Sequence, residues 1–221
     1  MSNYEWGFGF LLKYTRLFID GILVTLGFTF GTILAGLILG LLISLARLSP
    51  YKVVDSALML VVELFRCTPP LVQLVWFYYA LPVIIGVQIS GPIAAALVLS
   101  MYVGSFYSEI FRGGIKSIDP GQWEAARSLG LRFWPMMRTV ILPQVVRRMI
   151  PPFMNQSVLQ LKTTSLVSTI AVPDLLYNGT LITAETYRPL EVYTIIALIY
   201  FVLLFPATRL VASLEQRSRT A

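Results

Sequence analysis

Two pairs of opposite charges lie within otherwise apolar stretches of this chain. Glu63 and Arg66 are three residues apart, and so are Glu109 and Arg112. Residues at this spacing lie on one face of a helix, where a carboxylate can pair with a guanidinium. An ionisable residue inside an apolar stretch is costly unless it has a partner or faces a water-filled cavity. Each pair therefore either neutralises itself or acts directly on a polar solute or a gate.

A row of polar side chains lies on a later apolar stretch. Its members recur at every fourth position and are Gln156, Gln160, Thr164 and Ser168. This spacing keeps them roughly on one face of a helix, which we expect to face the inside of a bundle rather than lipid. The row either forms hydrogen bonds between helices or lines the path of a polar solute. Lys162, in the same segment, could lie opposite Glu63 or Glu109 or bind a substrate carboxylate.

The residue types that most catalytic sites require are scarce. The chain has no histidine, and Cys67 is its only cysteine, so neither an internal disulfide nor a thiol pair for a metal is available. No nucleophile or metal-binding group accompanies Glu63 or Glu109, so we assign no catalytic and no metal residue. The weaker alternatives are a membrane enzyme that uses one of these carboxylates as a general base, a passive channel and a structural subunit.

The composition places the chain in the membrane class. Of its 221 residues 57% are hydrophobic and 13% are charged, whereas a soluble domain has about a quarter charged residues. A helix needs roughly 20 apolar residues to span a membrane. The first apolar run is too long for a signal peptide, so we expect it to stay in the membrane. We predict an all-α membrane protein with five transmembrane helices, at residues 21–46, 55–81, 92–112, 149–172 and 191–213.

Basic residues concentrate in alternate connections between these spans. The 82–91 connection has no charged residue, and Arg188 is the only basic residue of the 173–190 connection. The long connection between the third and fourth spans carries Arg112, Lys116, Arg127, Arg132, Arg138, Arg147 and Arg148. Because cytoplasmic loops carry the excess of Lys and Arg, we place the N-terminus outside and the C-terminus in the cytoplasm. The same loops explain the net charge of +6 without nucleic-acid binding.

The domain boundaries follow from this orientation. We expect an N-terminal periplasmic segment at residues 1–18 and one transmembrane domain at 19–213. Within that domain, residues 113–148 form a cytoplasmic loop, and residues 214–221 form a cytoplasmic tail. The first span also contains two G-x-x-x-G patterns, at 27–31 and 36–40. Small residues at this spacing let helices approach closely, either within the chain, as we expect, or between two copies.

A polar segment in the cytoplasmic loop predicts a short capped helix. Asp119 is a good N-cap, Pro120 suits the first helical position, and Gln122 could reach back to the cap. Gly130 suits the left-handed residue that ends a helix. A helix this short is unstable alone, so it must dock on the spans or on a partner.

Four segments resemble motifs of the permease subunits of ABC importers for polar amino acids. Glu124-Ala125-Ala126, followed by Gly130 and by Ile-Leu-Pro at 141–143, resembles the EAA loop of these subunits. Three further segments resemble motifs of the same branch: E-L-F-R-C-T-P-P-L-V-Q-L at 63–74, Y-S-E-I-F-R-G-G-I at 107–115 and K-T-T-S-L at 162–166. Two residues depart from the pattern, because Cys67 stands where Gly is usual and Pro70 where Leu is usual.

The resemblance implies the type I importer fold and assigns roles to residues. In that family the EAA helix inserts into a groove of an ATPase and transmits its closure to the spans. The ATPase-coupling residues would then be Glu124, Ala125, Ala126 and Gly130. The candidate residues of the substrate pathway are Glu63, Arg66, Glu109, Gln156, Gln160, Lys162, Thr164 and Ser168.

The resemblance also implies the partners. The chain has no P-loop of the form G-x-x-x-x-G-K-[ST], so ATP and Mg would belong to a partner and this chain would bind no cofactor. The expected complex contains a second permease subunit, identical or homologous, two ABC ATPases and a periplasmic or lipid-anchored amino-acid-binding protein. It would lie in the inner membrane of a bacterium and import an amino acid by alternating access. Another small zwitterion, such as an opine, is the alternative solute.

Overall fold

The protein is helical throughout the part that the structure describes. The computed structural model describes residues 4–47 and 49–219, with side chains as far as residue 214. In this part the α-helices, in chain order, are α1 (Thr15–Ala46), α2 (Lys52–Cys67), α3 (Pro70–Val75), α4 (Leu81–Ile85), α5 (Gly91–Lys116), α6 (Pro120–Ser128), α7 (Phe133–Met136), α8 (Leu142–Thr163), α9 (Leu175–Thr186) and α10 (Pro189–Arg219). The 3-10 helices are Gly9–Tyr14 and Thr164–Ile170, and the π-helical turns are Trp76–Ala80 and Met137–Ile141.

Several of these helices can cross a membrane. The described stretches that are long and apolar enough are Gly9–Ala46, Gly91–Lys116 and Pro189–Leu214. Lys52–Cys67 and Pro70–Ile85 pass the same test together, with a bend of 106° between them. The predicted span 149–172 falls on α8, which begins at Leu142 and does not pass. A multi-pass helical protein is confirmed, and the number of five spans stays a prediction. Of the predicted terminal segments, residues 1–3 and 220–221 lie outside the described residues.

The second predicted span is broken where the sequence has two consecutive prolines. α2 ends at Cys67, and the backbone of Thr68 and Pro69 is extended before α3 begins at Pro70. Proline has no N–H to donate, and its ring disfavours a helical conformation of the residue before it. The two consecutive prolines therefore account for the interruption of the span.

α1 and α5 pack against each other more closely than any side chain would allow. A Cβ atom added at Gly40 would lie 2.8 Å from the carbonyl oxygen of Gly104 and 2.9 Å from the backbone nitrogen of Ser108. Gly36 contacts the same region of α5. By contrast, a Cβ atom at Gly27 or at Gly31 would meet nothing within 4 Å among the described residues. The second G-x-x-x-G pattern thus packs within the chain, and the first leaves an open surface.

α9 is clamped onto the first half of α1. Its N-cap, Asp174, is buried, and Asp174 Oδ1 accepts a hydrogen bond from the backbone N–H of Tyr177 at 2.8 Å. Burial raises the pKa of the Asp174 carboxyl to about 6. Asn178 Nδ2 donates to the carbonyl oxygen of Leu17 at 2.8 Å. These contacts leave so little space that a Cβ atom at Gly21 would lie 2.8 Å from the Cα atom of Leu175.

The N-terminal segment is held against the start of α10. Glu191 is fully buried and accepts hydrogen bonds from the hydroxyl of Tyr4 and from the backbone N–H of Gly7, the latter at 3.2 Å. Arg188 Nη1 also donates to Glu191, at 3.1 Å. The N-terminal segment and the 173–190 connection, which we predicted to lie on the same side of the membrane, therefore lie at the same end of the bundle.

The packing of α1 on α5 predicts unequal effects for two glycine substitutions. Gly40→Val should lower the free energy of unfolding by about 1–3 kcal/mol relative to Gly31→Val, because the added atoms overlap the α5 backbone. Gly31→Val is the matched control, since it introduces the same side chain into the same helix at an open position. Thermal unfolding of both variants in detergent measures the difference, and equal stability would contradict the packing.

Candidate coupling helix and polar pathway residues

The short capped helix forms where the sequence predicts it. α6 begins at Pro120, and Asp119 Oδ1 accepts a hydrogen bond from the backbone N–H of Gly121 at 2.6 Å. Gly130 has a φ of +72°, in the left-handed region that favours glycine. The predicted cap and stop are confirmed. The predicted reach of Gln122 back to the cap is wrong, because Gln122 Oε1 instead accepts a hydrogen bond from Gln144 Nε2 at 3.2 Å.

α6 docks on α7 and on the π-helical turn that leads into α8, through one of its two alanines. Ala126 is only 2% exposed and belongs to a buried cluster with Ile118, Met136, Ile141, Val145 and Met149. Arg148 adds a hydrogen bond to the carbonyl oxygen of Ser117. Glu124, Ala125 and Gly130 are exposed. Successive residues of a helix point about 100° apart, so Ala125 and Ala126 face different sides of α6. Three of the four predicted coupling residues are thus accessible to a partner, and Ala126 anchors the helix.

Large apolar side chains are exposed just after α6, and the sequence reasoning missed them. Leu129 is 80% exposed and Trp134 is 77% exposed. The Trp134 ring packs edge-on against the ring of Phe133, with the ring centres 5.6 Å apart. Their signal in the sequence is a set of large apolar residues within a loop that is otherwise polar.

The charged pairs form as their spacing predicts. Glu63 Oε1 accepts a hydrogen bond from Arg66 Nη1 at 3.0 Å, and Cys67 Sγ donates to Glu63 Oε2 at 3.3 Å. Glu109 Oε2 accepts a hydrogen bond from Arg112 Nε at 3.1 Å. Glu63 and Arg66 are both half-buried, and Arg66 Nε is buried without a hydrogen-bond partner among the described residues.

Glu109 has a second partner that the sequence did not indicate. Arg47 Nη1 donates to Glu109 Oε1, and Arg47 Nε donates to Asp55 Oδ1 at 2.9 Å. The Arg47 side chain is almost completely buried. The one signal of this burial in the sequence is that Arg47 directly follows a long apolar run. Glu109 is therefore held within an ion-pair network.

The polar row extends from α8 into the 3-10 helix Thr164–Ile170, and it is directed mainly towards the neighbouring helices. Gln160 is fully buried, and its Nε2 donates to Thr32 Oγ1 at 2.9 Å. Thr164 is also fully buried, with its hydroxyl 3.5 Å from that of Thr29 on α1. Gln156 is buried and Ser168 is half-buried. Gln160 and Thr164 therefore form polar contacts between helices.

Lys162 lies apart from the buried members of the row. Its side chain is exposed, and it forms no ion pair among the side chains that the structure describes. Glu63 and Glu109, the partners considered for Lys162, pair with arginines instead. Of the basic and amide residues that we singled out in the fourth predicted span, Lys162 is the one most accessible to a solute.

Gln73 bridges the break in the second span, which the sequence reasoning did not foresee. Its Nε2 donates to the carbonyl oxygens of Phe65 and Thr68, at 2.9 and 3.0 Å, and to Thr68 Oγ1 at 2.6 Å. The carbonyl group of Phe65 lacks its helical partner because residue 69 is a proline and cannot donate to it, and Thr68 lies in extended backbone outside the helices. A glutamine three residues after Pro70 was the available signal. Gln73 therefore stabilises the bend from inside the protein.

A multi-pass helical bundle with polar residues inside its spans and a short capped helix between two of them is the architecture of a membrane transport subunit. The family model described as "Binding-protein-dependent transport system inner membrane component" matches residues 15–220. The chain belongs to this family. It is thus a transport component rather than an enzyme, and no cluster of metal-binding side chains occurs in its described part.

Curated relatives narrow the resemblance. The probable amino-acid ABC transporter permease protein YckA of Bacillus subtilis is 38% identical over 183 residues, which cover 83% of this chain and 80% of the relative. The glutamine transport system permease protein GlnP of Escherichia coli is 35% identical over 204 residues, which cover 92% of this chain and 93% of the relative. The resemblance to permease subunits of amino-acid ABC transporters, drawn from four motifs, is therefore confirmed.

Solved structures agree with the fold. The crystal structure of an amino acid ABC transporter with histidines superposes with a TM-score of 0.90 at 37% identity, and the match covers 97% of this chain and 100% of that chain. An inward-facing structure of the MetNI methionine ABC transporter has a TM-score of 0.65 at 20% identity, covers 91% of this chain and 98% of that chain, and shows the fold alone. The type I importer permease fold is confirmed.

The bend of the second span predicts a stabilising role for the Gln73 amide. Gln73→Leu should lower the free energy of unfolding by about 2 kcal/mol, because buried carbonyl groups lose their donor. Gln88→Leu is the control, since Gln88 is exposed and should change stability by less than about 0.5 kcal/mol. Thermal unfolding in detergent measures both, and equal melting temperatures would contradict the role.

Proposed function

We propose that this chain forms the translocation pathway of an ATP-driven amino-acid importer and couples to a separate ATPase through α6. The observation that carries the proposal is the arrangement of α6, which is anchored through Ala126 and presents Glu124, Ala125 and Gly130 outwards. A short helix with a buried anchor and an exposed opposite face can bind a partner protein on that face. When the partner moves, the helix can transmit the movement to the residues that hold its anchor. The relatives named as amino-acid and glutamine permeases support the class of solute.

The path of the displacement runs from α6 to α8. Ala126 shares a buried cluster with Ile141, which ends the π-helical turn that leads into α8, and with Val145 of α8, so a movement of α6 would displace that end of α8. Further along, Gln160 bonds to α1 through Thr32 and to α5 through the carbonyl oxygen of Leu99, at 3.4 Å. Closure of the ATPase would then open the pathway outwards, and hydrolysis would restore the inward-facing state, as alternating access requires.

The proposed assembly follows from the family. It contains a second permease subunit, identical or homologous, two ATPases that hold ATP and Mg, and a periplasmic or lipid-anchored receptor for the amino acid. In the bacterial inner membrane the chain has five spans, with residues 1–18 outside and residues 113–148 and 214–221 in the cytoplasm. The packing of the N-terminal segment beside Glu191 supports a common side for the segments placed outside.

The solute would meet the accessible members of the candidate pathway set. Lys162 is exposed, while Glu63, Arg66 and Ser168 are half-buried. An exposed ammonium and a guanidinium suit a carboxylate, which every amino acid carries. The same groups also suit an opine or another small zwitterion, which is the second candidate solute. The test is to reconstitute the complex with its receptor and to measure ATP hydrolysis with each candidate solute. The solute that stimulates hydrolysis is the one that is imported.

The coupling role of α6 predicts a strong effect of charge reversal at its exposed face. Glu124→Lys should weaken binding of the ATPase by about tenfold or more, because a carboxylate at the contact becomes an ammonium, and a loss of ~1.4 kcal/mol suffices for tenfold. Glu185→Lys makes the same change at an exposed residue of α9 that pairs with Lys13, and it should leave ATPase binding unchanged. Affinity of the ATPase for the permease in nanodiscs measures both, together with uptake. Unchanged affinity and uptake for Glu124→Lys would refute the coupling role.

The proposed orientation predicts which loops a reagent outside the cell can reach. In a Cys67→Ser background, a cysteine at Tyr187 should react with a membrane-impermeant maleimide in intact cells with a permeable outer membrane. A cysteine at Ser128 should react only after the inner membrane is opened. Both positions are exposed, so access rather than burial decides the outcome. If Ser128→Cys reacted in intact cells, the proposed orientation would be wrong.

A further inference from the structure

A buried arginine joins three helices at the end of the bundle that leads to α6. Arg47 directly follows α1, and its side chain is only 3% exposed. Its Nε donates to Asp55 Oδ1 in the first turn of α2, at 2.9 Å, and its Nη1 donates to Glu109 on α5. One guanidinium therefore contacts two carboxylates that belong to different helices.

The cluster around Arg47 is electrically balanced. Glu109 also accepts hydrogen bonds from Arg112, so Arg47, Asp55, Glu109 and Arg112 together carry two positive and two negative charges. A buried charge is tolerated when it is paired and hydrogen-bonded. Glu109 and Arg112 lie on the same helix, and the contacts of Arg47 are the ones that link α2 to α5 through this cluster.

The shape of the arginine side chain matters for this link. Its planar guanidinium presents donors in fixed directions and can serve two carboxylates at once, whereas lysine offers a single ammonium group. Arg47 uses Nε for Asp55 and Nη1 for Glu109. A lysine at this position would keep the charge and lose one of the two directions.

The three linked helices lie at different positions between α6 and the bend of the second span. α5 ends at Lys116, and the cap of α6 follows three residues later at Asp119. α1 is packed on α5 through Gly40 and would move with it. α2 leads to the bend at Thr68 and Pro69 in the second span. The Arg47 cluster thus connects the helix nearest to α6 with the helix that carries the bend.

We propose that Arg47 is a positioning residue that holds the first turn of α2 to the α1–α5 pair, so that a displacement of α6 also moves the broken second span. The inference rests on the proposed role of α6 as the contact with the ATPase. It adds a second route for the movement, besides the one through Ala126 and α8. It also assigns Glu109 to this cluster rather than to direct contact with the solute.

Two substitutions test the proposal in the assembled complex with ATPase and receptor. Arg47→Lys keeps the charge, and Asp55→Asn alters the half-exposed partner on α2, where folding is least at risk. Both should lower the solute imported per ATP hydrolysed by about tenfold, within the range of typical coupling free energies. The matched controls are Arg16→Lys and Asp20→Asn, an exposed pair near the other end of α1 with its charged atoms 3.9 Å apart, which should leave this ratio unchanged. Uptake that falls only in proportion to the amount of assembled complex would overturn the proposal.

A distance measurement tests the link itself, without the ATPase. In a Cys67→Ser background, spin labels can be placed at Val53 on α2, two residues before Asp55, and at Gly113 on α5, next to Arg112, because both sites have room for a label. The intact cluster should give one narrow distance distribution, and Asp55→Asn should broaden it. An equally narrow distribution in Asp55→Asn would overturn the proposal.

The two measurements separate this inference from the proposal on which it rests. If Glu124→Lys leaves ATPase binding intact, the role of α6 is wrong, whatever the spin labels show. If Glu124→Lys abolishes binding while Asp55→Asn changes neither the import ratio nor the distance distribution, α6 keeps its role and the positioning role of Arg47 is wrong.

Discussion

The close packing of α1 against α5 is the contact on which the rest of the structure depends. Lipid offers no hydrophobic force between helices, so their association rests on van der Waals contact and hydrogen bonds. Gly36 and Gly40 bring the two backbones together, and this approach allows Thr32 to reach Gln160 and Arg47 to reach Glu109. A bulkier residue at these glycines would separate the helices and, with them, the polar contacts that join α8 and α2 to the pair.

The remaining features follow from the need to satisfy polar groups inside an apolar bundle. The prolines at 69 and 70 break the second span, and irregular backbone at membrane depth is tolerated where the protein itself supplies partners. Gln73 supplies them at the break, as Asp55 and Glu109 do for Arg47. The same contacts give the bundle defined connections, because a helix held by directional bonds moves with its neighbour. A transport subunit that receives force at α6 needs such connections.

Much of the architecture could be predicted from the sequence, because its signals are local. Apolar length indicated the long helices, and the paired prolines indicated the break. Asp119, Pro120 and Gly130 determined where α6 begins and ends. The charged pairs three residues apart formed as expected. The capping role of Gln122 failed because Gln144, from another helix, offered its side chain a partner. The predicted span at 149–172 stays a prediction, because the polar and charged residues of α8 lower its hydropathy.

The sequence by itself determined the class of protein, its helices, the cap and stop of α6 and the motifs that place the chain in its family. Each of these depends on residues within a few positions of one another, or on a pattern of residue types. Only the tertiary structure decided that Ala126 faces inwards while Ala125 faces outwards, that Gln73 bridges the break, and that Arg47 joins α2 to α5. The physical reason is that each of these contacts depends on how helices distant in the chain pack together, and local spacing does not specify that packing.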